Sequence, residues 1–128
     1  MNIKISIGEA LDRLSILEIK MIKVKDEVKL ANIQKEHDYL KELIDNDLSF
    51  ERIEPYYREL FRINHSLWII EDELRVLESN QDFSNEFIKL ARLVYFTNDE
   101  RAEVKKKINI EEKSEFIEEK SYINYKNS

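Results

Sequence analysis

Glu9 and Asp12 stand three residues apart at the head of an apolar stretch, Ser6 to Met21, with Arg13, Glu18 and Lys20 close behind. Residues three apart on a helix share a face, so two carboxylates in an E-x-x-D pair could present oxygens to one Mg2+, which takes few protein carboxylates and completes its shell with water or substrate phosphates. The same acids also suit a plainer role, Glu9 as a helix cap and Asp12 as an ion-pair partner. Lysines outnumber arginines two to one, yet Arg13, Arg75, Arg92 and Arg101 all fall beside apolar helix positions. A planar guanidinium tolerates burial and bidentate pairing better than an ammonium does. These arginines are expected to bridge to Asp12, Glu18, Glu71 or Asp72, or else to line a pocket for a small anion.

A third set is the ladder Asn64-Trp68-Glu71-Asp72-Arg75. A buried indole N–H needs an acceptor, which Asn64 or a carboxylate could supply, and the ladder reads first as core or subunit interface. Asn98, Asp99 and Lys105 complete the candidate cluster with Arg101, the Thr97-Asn98-Asp99 start offering N–H groups to an anion. His37 and His65 form no H-x-x-x-H pair, so no histidine metal site is expected; His37 lies on a thin apolar stripe and reads as an interface residue. No Ser/His/Asp order and no phosphate loop is present.

Positioning these residues requires helices. The chain has 128 residues, with one Gly, one Pro and no Cys. Tight turns, Gly-rich phosphate cradles, disulfides and thiolate chemistry therefore drop out. A net charge of −6 disfavours general nucleic-acid binding, which depends on neutralising phosphates. No apolar run reaches the roughly 18 residues of a membrane span, and the first residues lack a secretory pattern, so the cytoplasm is the expected compartment.

Residues 1–6 read as an extended arm, and Ser6 with Glu9 as a capping box that opens a helix near Ile7. With no proline to stop it, that helix is expected over 7–45, about 55 Å at 1.5 Å per residue. Its seam is Ile7-Ala10-Leu14-Leu17-Met21-Val24-Val28-Ala31, shifting to Leu30-Ile33-His37-Leu40-Ile44. The turn Ser49–Pro55 leads to a helix over 54–79, Pro55 in its first turn. This helix carries the seam Leu60-Ile63-Leu67-Ile70-Leu74-Leu77 and a second stripe from Tyr57 through Phe61, Asn64 and Trp68. Two shorter helices follow over 84–95 and 98–110, the latter opened by a Thr97/Glu100 capping box, and then a partly docked tail over 111–128. The expected fold is all-α: one domain, a long antiparallel helical hairpin with two shorter helices at its base.

The segments SIGEALDRLSILEIK, SLWIIEDELR, ARLVYFTNDERAEVKKKIN and EEKSY together resemble a family of small uncharacterised helical proteins of bacteria and their phages, members of which also occur beside or fused to glycosyltransferase-type regions. The resemblance covers the chain to Tyr122, although Lys25 to Pro55 carries no matching motif. It implies no established activity. It implies that Glu9, Asp12, Arg13, Glu18, Lys20, Trp68, Glu71, Asp72, Asn98, Asp99, Arg101 and Lys105 follow the family's polar pattern. Two faces to bury on the 54–79 helix point to a homodimeric, non-enzymatic interaction module with no cofactor, no nucleic-acid partner and no membrane. The alternative is a small helical enzyme or anion binder, resembling Mg-dependent nucleotide pyrophosphohydrolases or helical mutases, in which Glu9 and Asp12 would hold Mg2+.

Overall fold

The computed structural model describes residues 1–125. The fold is all-α, and among these residues there are four helices: α1 (Ile7–Lys23), α2 (Glu27–Asp47), α3 (Phe50–Ser79) and α4 (Asn85–Glu111). Ser6 caps α1, its Oγ accepting from the Glu9 N–H at 3.0 Å. α1 packs against all three other helices, so the stretch with charges set among apolar residues is the hub.

The helix expected over 7–45 is divided. Val24 adopts an extended conformation at the end of α1, and Asp26 caps α2 by accepting from the Lys29 N–H at 2.9 Å. Neither Gly nor Pro marks this break, and the apolar seam runs through it. Folding back lets both segments reach one core: Leu11 and Leu14 of α1 and Ile44 near the end of α2 are all buried there. A single straight rod would carry Ile44 about 45 Å away from Leu14. α1 and α2 are thus their own antiparallel pair, and α3 pairs with α4.

The turn before α3 is shorter than expected. α3 begins at Phe50, which makes Pro55 its sixth residue. Proline there cannot donate to the Glu51 carbonyl, but Pro55 is exposed and water reaches the open acceptor. The two short helices expected over 84–95 and 98–110 are one continuous helix. Thr97 and Glu100 have the capping-box spacing, but nothing between Val94 and Asn98 breaks the backbone ladder, and Asp99 is spent on a tail contact instead.

The core gathers Leu11, Leu14, Ile44, Ile53, Tyr57, Leu60, Ile63, Leu67, Val104 and Ile108. Along the α3 seam, Leu60, Ile63 and Leu67 are buried, whereas Ile70, Leu74 and Leu77 are only half-buried. The reason is where α1 crosses: its side-chain contacts fall on Tyr57 and Asn64 of α3 and on Arg101, Lys105 and Asn109 of α4, which leaves the farther half of α3 uncovered. The remainder, 68–79 with 85–97, projects as a two-helix arm. Among the described residues, no helix is long and apolar enough to cross a membrane.

Candidate functional site

Asp12 is the centre of the polar cluster. Its side chain is 1% exposed and lies between α3 and α4. Arg101 of α4 grips it with two charge-assisted hydrogen bonds, Nε to Oδ1 at 2.8 Å and Nη2 to Oδ2 at 2.5 Å. Asn64 of α3 donates from Nδ2 to the same Oδ1 at 2.8 Å and to Ser15 Oγ at 2.8 Å, and Ser15 Oγ donates to the Asp12 carbonyl at 2.7 Å. A buried carboxylate costs several kcal/mol unless its lone pairs are met, and here α3 and α4 supply three hydrogen bonds to it. The hydrogen bond to Asp12 holds the Arg101 guanidinium above its ordinary pKa, against the opposing effect of burial, with the Asp12, Glu9 and Glu71 charges adding to the rise.

Glu9 extends the cluster towards solvent. Lys105 Nζ lies 2.6 Å from Glu9 Oε2 and 3.9 Å from Asp12 Oδ2, and Arg13 Nε lies 2.9 Å from Glu9 Oε1. Burial pushes the Glu9 carboxyl up, but the hydrogen bonds from Lys105 and Arg13 outweigh it and its pKa ends below the ordinary carboxylate value. Both carboxylates of the E-x-x-D pair therefore face cationic side chains of this chain. Among the described residues, no group of three or more His, Asp or Glu side chains is arranged to hold a metal ion.

Close approach of α1 to α4 makes the cluster possible. A Cβ added at Gly8 would sit 2.6 Å from the Lys105 carbonyl oxygen, which is why the chain's only glycine is here. Its N–H donates to Asn109 Oδ1 at 2.6 Å. Asn109 Nδ2 in turn donates to Glu118 Oε2 at 2.8 Å, and Ser6 Oγ donates to Glu118 Oε1 at 2.5 Å. The tail thereby runs back along α4, with Lys106 on Glu119 and the Tyr125 hydroxyl donating to Asp99. Burial and the Asp99 carboxylate push the Tyr125 hydroxyl up to about 12. Between tail and helix lies a cleft of about 120 Å3 lined by Asn98, Arg101, Lys105, Lys106, Glu118 and Lys120.

The other candidates scatter. Among the described residues Glu18 meets no arginine; it accepts from the Tyr57 hydroxyl and lies 3.2 Å from His37 Nε2, fastening α2 and α3 to α1. Burial, then the Glu18 contact, raises the Tyr57 pKa. His37 is thus occupied within the chain. Trp68 and Lys20 are half-buried, Glu71, Asp72 and Arg75 are exposed, and Arg92 is exposed over the Phe96 ring. The Asn64 Nδ2 donates to Asp12 and Ser15, and among the described residues no hydrogen bond joins Asn64 to the Trp68 indole. Ser15, Asn109 and Glu118 hold the site together with no signal in the sequence; Ser6 is legible only as a helix cap, Tyr57 only as part of the second α3 stripe, and Gly8 only as the single glycine of a helical chain.

A family model described as a family of unknown function (DUF6165) matches residues 1–127. The chain belongs to that family. No curated protein and no solved structure matches it. The match includes the region from Lys25 to Pro55, which carries no distinctive motif, so in this DUF6165 chain α2 and the turn into α3 belong to the same unit as the polar cluster.

Proposed function

We propose that this protein is a non-enzymatic helical assembly module that works as a homodimer. The observation that carries this reading is its surface. A compact monomer of 15.5 kDa exposes about 7,200 Å2, whereas this chain exposes 9289 Å2. The tail contributes part of the surplus, and the projecting arm contributes another part through Ile69, Val76, Phe83, Ile88 and Tyr95, all exposed. A specific interface buries about 800 Å2 per partner, well within that surplus. The polar cluster then has a structural role: it locks α1 across α3 and α4 and so fixes the base from which the arm projects. Size-exclusion chromatography with light scattering should give about twice the monomer mass at micromolar concentration, and a monomer throughout would refute the reading.

A second reading rests on the cleft under the tail, where Arg101, Lys105, Lys106 and Lys120 converge. In that reading the protein binds a small phosphorylated anion there, with or without Mg2+. A thermal-shift series with inorganic phosphate, ATP and Mg-ATP tests it: stabilisation that saturates supports the cleft as a site, and an unchanged melting temperature with all three argues against it.

A further inference from the structure

We infer that two copies of this chain associate reciprocally, the α1–α2 turn of each seating in the α3–α4 groove of the other. The inference rests on the assembly reading above and names its surfaces. On the arm, a groove of about 310 Å3 runs between α3 and α4, with Val76, Leu77 and Leu90 among its lining and Asp72, Glu73 and Glu86 along it. Residues 71–86 carry six carboxylates against one arginine. The groove is therefore an apolar slot within an acidic field.

The α1–α2 turn is its converse. Ile22 and Val28 are 66% and 74% exposed, a costly placement for aliphatic side chains left in water. Around them stand Lys20, Lys23, Lys25 and Lys29, against only Asp26 and Glu27. In a chain of net charge −6, an apolar knob collared by lysines fits an apolar slot rimmed by carboxylates. Opposite fields steer such an encounter, and like-charge pairing would oppose turn-to-turn or groove-to-groove contact. Within one chain the two surfaces do not meet: among the described residues, no hydrogen bond or ion pair joins 20–29 to 71–86. A reciprocal exchange satisfies both at once and closes as a two-fold dimer, with two identical contacts and no open end.

Charge reversal tests this directly. The first variant is Lys25→Glu with Lys29→Glu. Both positions lie at the start of α2, where negative charge is favoured by the helix dipole, so the helix is preserved. The second is Asp72→Lys with Glu73→Lys, both exposed mid-helix positions. Each variant alone faces like charge at both contacts, and its dimer dissociation constant should rise by about a hundredfold or more. Mixed in equal amounts, the two restore opposite charges at both contacts and should sediment as a heterodimer. Should the lysine-bearing variant fail to fold, Glu86→Lys replaces it. Variants that still dimerise like the wild type, or that stay monomeric when mixed, overturn the turn-in-groove arrangement and leave the assembly reading standing. A wild-type monomer overturns both.

Discussion

Replacing Arg101 with alanine separates a structural cluster from a ligand site. In the folded protein, Arg101 supplies two of the three side-chain hydrogen bonds reaching the buried Asp12 carboxylate. Breaking a buried ion pair costs about 3–5 kcal/mol because the survivor is stranded. Here the cost falls at or below the lower end. The Arg101 side chain is 28% exposed, so water can enter the space it leaves, and Lys105 stands 3.9 Å from Asp12 Oδ2. A loss of about 2–3 kcal/mol follows, equivalent to a fall of about 10 °C in melting temperature for a domain of this size. The partner control is Asp12→Ala combined with Arg101→Ala. With no carboxylate left to strand, the double variant should lose less than the sum of the two singles, by about 1 kcal/mol or more. Urea melts of the wild type, both singles and the double supply all four numbers. If Arg101→Ala is neutral or stabilising, the guanidinium is poised for something other than Asp12, and the structural account of the cluster fails.

Gly8→Ala should destabilise the protein by about 1–2 kcal/mol: the new methyl group meets the Lys105 backbone carbonyl at 2.6 Å, an overpacking cost that exceeds the helix-propensity gain of about 1 kcal/mol. Chemical denaturation measures it, and an unchanged or raised midpoint would show that α1 and α4 can part freely. The Glu9 carboxyl, held below its ordinary pKa by Lys105 and Arg13, contributes stability that is complete above its unfolded value of 4.5 and lost as the pH falls through the folded one. Lys105→Met should therefore shrink the drop in stability between neutral pH and about pH 3; an equal drop in variant and wild type would remove Glu9 as its source.

Much of the fold is legible because hydrophobic period and composition report helices strongly. Leu14 and Leu17 of the first seam and Leu60, Ile63 and Leu67 of the α3 seam are buried as their spacing requires, whereas Leu11, fully buried, lies off that seam and Val28, on it, is exposed. The break at Val24–Asp26 was not legible, since its chemistry is an aspartate cap with no Gly or Pro, and a cap is only one hydrogen bond set against an unbroken seam. The reverse holds at Thr97, where cap-like spacing sits inside a continuous helix: local signals yield to packing when nothing forbids the backbone ladder. In the site, the choice of Arg over Lys beside apolar positions points to Arg101, and Asp12 is one of four acids the sequence offers it as a partner. Arg75 and Arg92 share that sequence context and are exposed, because they lie on the arm beyond the reach of α1. Which acid meets which base depends on where α1 crosses the α3–α4 pair, and that crossing is fixed by the Gly8 contact, 97 residues from Lys105 in sequence.

Self-association is the claim on which the rest converges, and sedimentation equilibrium of the wild-type protein across a concentration series measures it most directly. The prediction is a mass of about twice 15.5 kDa at micromolar concentration, falling towards the monomer on dilution and in high salt, which screens the lysine-to-carboxylate contacts. A mass of 15.5 kDa at every concentration and salt would contradict it.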